Sequence, residues 1–197
     1  SPPLLDYSDY VNTLGIIVIN EVCEIMLGKP IYEDKAATLF AMRLCNDLNK
    51  YCNELSKEKG MRLALSRTPA ETTAQRFAVL DLLSYGDAHK HVKGSVREAI
   101  RIYADTGSRD LPIYYTNGTH CPVDADISLI DKIKIEQGFF PLLSGGNICN
   151  LYLGEKEPDP KGLMDFTLNI CKTTNLGYFA FTKEITVCND SYTEYTP

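Results

Sequence analysis

The segment Met61-Arg-Leu-Ala-Leu-Ser-Arg67, followed at once by Thr68-Pro-Ala-Glu-Thr-Thr-Ala-Gln-Arg-Phe-Ala-Val-Leu-Asp-Leu-Leu83, constrains the fold more than any other part of this chain. Residues 61–67 alternate apolar and polar, the pattern of a half-buried strand. Residues 68–83 then switch to helical spacing, and Thr68, Pro69 and Glu71 stand where a helix cap, a first-turn proline and a capping-box acid belong. A strand that feeds directly into a helix is one half of a β-α-β unit. The same succession recurs along the chain.

Residues 9–27 place apolar side chains at 11, 14, 18, 22, 23, 26 and 27 on one helical face, and Gly28 follows as a stop. A long helix is expected over 33–59, with the stripe Phe40, Leu44, Leu48, Tyr51 and Leu55, ended by Gly60. Further helices are expected within 94–104, over 126–138 and over 160–175. Strands are expected at 111–115, after the Gly145-Gly146 turn within 142–155, at 177–182 and at 184–188. This alternation predicts an α/β layered fold.

Length and charge narrow the class. The 197 residues can bury a sizeable core without a disulfide or metal staple. A net charge of −6 argues against nucleic acid or an anionic membrane surface as the main partner, although backbone donors can still hold a phosphate. No apolar run reaches the roughly 18 residues of a membrane span. Cys23, Cys45, Cys52, Cys121, Cys149, Cys171 and Cys188 are odd in number and lie mostly in apolar stretches, as reduced cytoplasmic thiols do. The sequons at Asn117 and Asn189 are accordingly read as chance matches. The start at Ser1, without an initiating Met, reads as processed or excised from a longer chain.

Three places could carry chemistry. The first is Tyr114-Tyr-Thr-Asn-Gly-Thr-His-Cys-Pro-Val-Asp124, just past an expected strand end. Asn117-Gly118 permits a turn with positive φ, so that successive N–H groups converge as an anion cradle, with Thr116 and Thr119 adding hydroxyls. The residues allow a plain Asn-Gly turn equally well. His120 beside Cys121 is a poor nucleophile–base pair, because neighbours on an extended chain face opposite ways. The second is Ser144-Gly145-Gly146-Asn147, a flexible turn that could approach a ligand or be only a turn. The third is Cys188-Asn-Asp-Ser191, half a Cys-x₂-Cys knuckle without its second thiol; structural zinc needs more ligands than that. His89 and His91 stand between polar loop residues and are expected to be solvated. The backbone at the start of the 68–83 helix could face a phosphate.

The ordered set "GIIVINEVCEIMLGKPIYED" (15–34), "LALSRTPAETTAQRFAVLD" (63–81), "LPIYYTNGTHCPVD" (111–124), "LLSGGNICNLYLGE" (142–155) and "TTNLGYFAFTKEITVCND" (173–190) resembles the C-terminal part of the anaerobic, class III glycyl-radical ribonucleoside-triphosphate reductases. The resemblance covers nearly the whole chain. It implies part of a ten-stranded α/β barrel over 1–183 and the start of a truncated zinc-binding segment over 184–197. In that family a glycyl radical generates a thiyl radical, which abstracts the ribose 3′ hydrogen while the 2′ hydroxyl leaves as water.

The resemblance places Tyr115, Thr116, Asn117, Gly118 and Thr119 near the substrate phosphates, with Gly145 and Gly146 as further substrate-binding residues. It allows Cys188 as a zinc ligand only if a second cysteine pair is present, and position 191 here is Ser. It assigns no catalytic residue within the chain. For the parent enzyme it implies a glycyl radical, structural zinc and nucleotide effectors (ATP or dNTP). The implied partners are a ribonucleoside triphosphate, the rest of the reductase, a radical-SAM activase and a second copy in a homo-oligomer. The family usually has Ser at the position of Gly118. The expectation is an internal piece of such a reductase that does not turn over alone; the alternatives are a catalytically inert barrel-derived association module and an unrelated α/β nucleotide-binding domain.

Overall fold

The computed structural model describes residues 9–118, 120–122, 125–154 and 157–182, together with the backbone of 186–187 and 194–195. Strand β1 (Val11–Ile16) pairs in parallel with β2 (Arg62–Arg67), from Val11 opposite Arg62 to Ile16 opposite Arg67. Helices α1 (Ile19–Leu27) and α2 (Lys35–Lys59) form the crossover between them. Strands β5 (Cys149–Tyr152) and β6 (Phe179–Thr182) make a second parallel pair, joined by α6 (Pro160–Thr173). An isolated parallel bridge between Ser66 and Gly146 links the end of β2 to the turn that precedes β5, while β1-β2 and β5-β6 remain separate two-stranded pairs.

Helix α3 (Glu71–Ser84) follows β2, and α4 (Val96–Thr106) packs beside it. The two-residue strands β3 (Lys93–Gly94) and β4 (Ile113–Tyr114) pair antiparallel, and α5 (Leu129–Glu136) precedes β5. The last strands, β7 (Thr186–Val187) and β8 (Glu194–Tyr195), also pair antiparallel.

The core has three parts, each between strands and helices. Leu65 of β2 packs with Cys23, Ala37, Ala41, Cys45 and Phe139. Ala74, Ala78, Ala99 and Ile113 seal α3 and α4 against β4. Ile133, Cys149, Leu151 and Ile170 seal α5 and α6 against β5. Alternation along β2 sends Leu63 and Leu65 toward the helices, and Ala64 and Ser66 to the opposite face. That opposite face is lined by small side chains. A Cβ on Gly145 would stand 2.9 Å from the Leu65 carbonyl, 3.0 Å from Ser66 Cβ and 3.0 Å from Thr13 Cγ2, and one on Gly15 would collide with the Thr68 hydroxyl.

Several expectations are corrected. Residues 9–27 are not one helix: 11–16 form β1, and α1 starts only at Ile19. Cross-strand pairing with β2 outweighs the helical stripe, which 14-Leu-Gly-Ile-Ile-Val-18 fits as well as it fits a strand. Thr68 does not cap α3. The N-cap is Ala70, which offers no side-chain bond, while the Thr68 hydroxyl lies 3.4 Å from that of Ser66. Tyr51, placed in the buried stripe of α2, is exposed; the tightest face of that helix is Ala37, Ala41, Cys45 and Cys52. His91 is not simply solvated, since its Nδ1 lies 3.5 Å from Glu24 Oε2.

Candidate functional site at the strand ends

Three sequence motifs meet where β2 ends. The segment after β4 reaches it through Gly118, whose N–H donates to the Thr68 carbonyl at 3.4 Å. Gly118 has φ +68, which a side chain rarely adopts, and a Cβ there would lie 3.9 Å from Pro69. The glycine turn arrives from the other side: Gly145 N–H donates to Leu65 O at 2.7 Å, and Arg67 N–H donates to Gly146 O at 2.9 Å. Thus Tyr115, Thr116, Asn117, Gly118, Gly145 and Gly146 gather around the β2–α3 junction. Thr119 and Cys188 lie outside the described residues.

The junction itself suits an anion. Helix α3 begins at Glu71 without a side-chain cap. A helix start carries N–H groups with no intrahelical acceptor and the positive end of the helix dipole. The loop above it is tied on both sides. Tyr115 donates its hydroxyl to Asp81 Oδ2 of α3 at 2.9 Å, and burial followed by that bond pushes its phenol well up. Asn117 Nδ2 donates to the Tyr115 carbonyl at 3.2 Å, which tightens the turn.

Behind the loop, on the helix side of the sheet, sits a buried polar cluster that the pattern of residues did not single out. Glu21 Oε1 accepts the Thr116 N–H at 2.9 Å and its hydroxyl at 2.6 Å. Glu136 Oε1 accepts the N–H groups of His120 and Cys121 at 2.9 and 2.7 Å. Arg67 donates from Nη2 to Thr116 O at 3.2 Å and from Nη1 to Ile16 O at 3.4 Å.

Burial lowers the Arg67 guanidinium to about 10, against the pull of Glu136 and Glu21, so it stays charged at neutral pH. Burial raises the Glu136 carboxyl, opposed by the Cys121 N–H, Lys132 and Arg67. His120 is held neutral well below its usual range, first by burial and then by Arg67, and its ring stacks on Phe139 at 3.8 Å. Signals for this cluster existed. Arg67 continues the apolar face of Leu63 and Leu65, and Glu136 lies one turn after Ile133 on the inward face of α5.

The Cys121 thiol is no nucleophile in this setting. It is fully buried, and desolvation followed by Glu136 pushes its ionisation far up. Cys23 and Cys45 are raised to about 11 and Cys149 to about 12, in each case chiefly by burial. Thiols so placed act as small hydrophobes. Among the described residues no group of three or more His, Cys, Asp or Glu is arranged to hold a metal. Nor does any described helix have the length and apolarity to cross a membrane.

Fold and site together define a class: part of a parallel α/β barrel whose loops converge at a strand end beside an uncapped helix. The comparisons with known proteins make this specific. Residues 5–196 match the family model for anaerobic ribonucleoside-triphosphate reductase, and the chain belongs to that family. It is 29% identical over 138 residues to the anaerobic ribonucleoside-triphosphate reductase of Haemophilus influenzae, covering 70% of this chain and 17% of that protein. The enzyme of the same name from Enterobacteria phage T4 is 26% identical over 151 residues, covering 77% of this chain and 20% of that protein. The chain therefore spans about a fifth of the length of the curated relatives it matches.

Solved structures agree in fold. The Thermotoga maritima anaerobic ribonucleotide reductase with glycerol in its active site superposes with a TM-score of 0.66 at 18% identity, over 95% of this chain and 27% of that one. The same enzyme in complex with dATP and CTP gives 0.66 at 18% identity, over 95% of this chain and 28% of that one.

Proposed function

We propose that this chain supplies part of the catalytic barrel of an anaerobic ribonucleoside-triphosphate reductase, and that its strand-end loops hold the phosphates of the ribonucleotide. One observation carries the reading: the Gly118 N–H bonded to Thr68 O seats the 115–118 loop on the uncapped start of α3. There the free N–H groups at the start of α3 supply the donors for a phosphate. The Thr116–Gly118 and Gly145–Gly146 turns shape the place around it, their own N–H groups at Thr116, Gly118, Gly145 and Gly146 being already bonded within the protein. The net charge of −6 does not oppose this, because the donors are local and uncharged.

In this reading the chain's own residues bind and orient, and none of them performs the radical step. A glycyl radical in the parent enzyme supplies the hydrogen-abstracting chemistry. Thr119 belongs to the same substrate stretch in sequence, and 184–197 begins a zinc-binding segment in which Cys188 is a ligand only where a second cysteine pair is present. The described residues offer no set that fits the zinc, so no role in the chemistry is drawn from it. Nucleotide effectors, a radical-SAM activase and a second copy act on the parent enzyme in a reduced, cytoplasmic setting.

The test is equilibrium binding to the 197-residue chain, comparing CTP, inorganic triphosphate and cytidine. Binding of the first two and not the third supports phosphate recognition here. Equal binding of cytidine alone, or none of the three, contradicts it.

A further inference from the structure

We propose that Glu136 and Arg67 are positioning residues for the 115–118 loop, gripping its main chain from the helix side so that it rests on the start of α3. The proposal rests on the assignment of that loop to ribonucleotide phosphate. Neither side chain faces the place where the phosphate would sit. Both act through backbone.

The chain leaving β4 is held at three points by buried side chains from three different elements. Glu21 of α1 holds Thr116. Arg67 of β2 holds the Thr116 carbonyl, the Ile16 carbonyl at the end of β1 and, through its own N–H, the Gly146 carbonyl. Glu136 of α5 holds His120 and Cys121 with a single oxygen. Arg67 thus touches the end of β1, the phosphate loop and the glycine turn at once. Gly118, which makes the contact with Thr68, lies between the grip at Thr116 and the grip at His120.

The chemistry is costly for a purely packing role. Glu136 is 0% exposed and Arg67 3% exposed, and burying such ions costs several kcal/mol each unless well-placed partners offset it. Apolar side chains would fill the same space without that cost. They could not fix the height and turn of a polar loop, which needs acceptors and donors aimed at its main chain. The His120 ring flat on Phe139 closes the cluster to water on one side.

The test uses the 197-residue chain with CTP as ligand. Glu136→Ala removes the grip at His120 and Cys121. Their amide exchange should rise about tenfold or more relative to amides in α6, and the CTP dissociation constant should rise about tenfold, the worth of one charge-assisted hydrogen bond. Glu136→Gln keeps one acceptor oxygen and should restore both readouts to within about threefold. Leu151→Ala, in the separate cluster of α5, α6 and β5, matches the loss of stability without touching the loop and should leave CTP affinity unchanged. If Glu136→Ala binds CTP like Leu151→Ala, the positioning role is overturned.

Should Glu136→Ala fail to fold, Arg67→Lys decides: it keeps the charge but not the two-pronged donor. Affinity weakened about tenfold supports the proposal, and unchanged affinity overturns it. If the unmodified chain binds no CTP while exchange at 120–121 still rises in Glu136→Ala, the phosphate assignment fails and the grip on the backbone stands.

Discussion

Glu21 and Thr116 are 95 residues apart in sequence and are joined twice, the Glu21 Oε1 accepting both the Thr116 N–H at 2.9 Å and its hydroxyl at 2.6 Å. This pair locks α1 to the loop beyond β4. Truncating Glu21 leaves two buried donors without an acceptor. Glu21→Ala should cost about 3 kcal/mol of stability, read from urea unfolding, and a loss below about 1 kcal/mol would show that the loop finds other partners.

The glycine turn is set by close approach rather than by backbone freedom at its first residue. A Cβ on Gly145 meets backbone and side-chain atoms of β2 and Thr13 at 2.9–3.0 Å. Gly145→Ala should therefore destabilise by about 1–3 kcal/mol. Gly86, with nothing within 4 Å of its Cβ position, is the control, and Gly86→Ala should stay within about 0.5 kcal/mol of the parent. Equal effects at both positions would contradict the packing at the β2 end.

His120 predicts a dependence on acid. Its folded-state ionisation lies well below the ordinary value near 6.5, so the unfolded chain binds a proton there that the folded chain refuses. Stability is present above the unfolded value and is lost as pH falls below it. Between about pH 7.5 and about pH 5.5 this one group should remove about 1.4 kcal/mol. Glu136 works the other way: its raised ionisation adds stability as pH falls. His120→Phe keeps the stack on Phe139 and retains Glu136, so the difference between the two chains isolates the imidazole. Parallel curves of stability against pH would contradict a buried neutral His120.

Thiol labelling follows from burial. Among the described cysteines, Cys171 on α6 is exposed, while Cys23, Cys45, Cys52, Cys121 and Cys149 are buried. An alkylating reagent under native conditions should modify Cys171 within minutes and leave the five others for denaturant, as peptide mass mapping would show. Rapid modification of Cys121 would revive the His120–Cys121 pair as a reactive site.

Much of the fold was legible because local signals agreed with tertiary ones. Gly60 ends α2 in the left-handed conformation, Ser95 and Ser128 cap α4 and α5, and Asp159 with Pro160 opens α6, all from local chemistry. The failure at 9–18 has a physical cause. Val, Leu and Ile at those positions satisfy a helical stripe and a strand equally, and only β2, more than 40 residues away, decides between them. The candidate loops were legible as turns, from Asn117-Gly118 and Gly145-Gly146. Their convergence was not, since it depends on the parallel register that sets Ser66 beside Gly146. The Arg67 cluster stayed hidden because charged residues in isolation read as surface.

The central claim is that the β2–α3 junction holds ribonucleotide phosphate. Amide-resolved NMR of the 197-residue chain titrated with CTP tests it most directly. The account predicts saturable shifts at Thr116, Asn117, Gly118, the first turn of α3 and Gly145–Gly146, reproduced by inorganic triphosphate and suppressed by Asn117→Ala. Shifts confined to other parts of the chain, or none at these amides at saturating CTP, would contradict it.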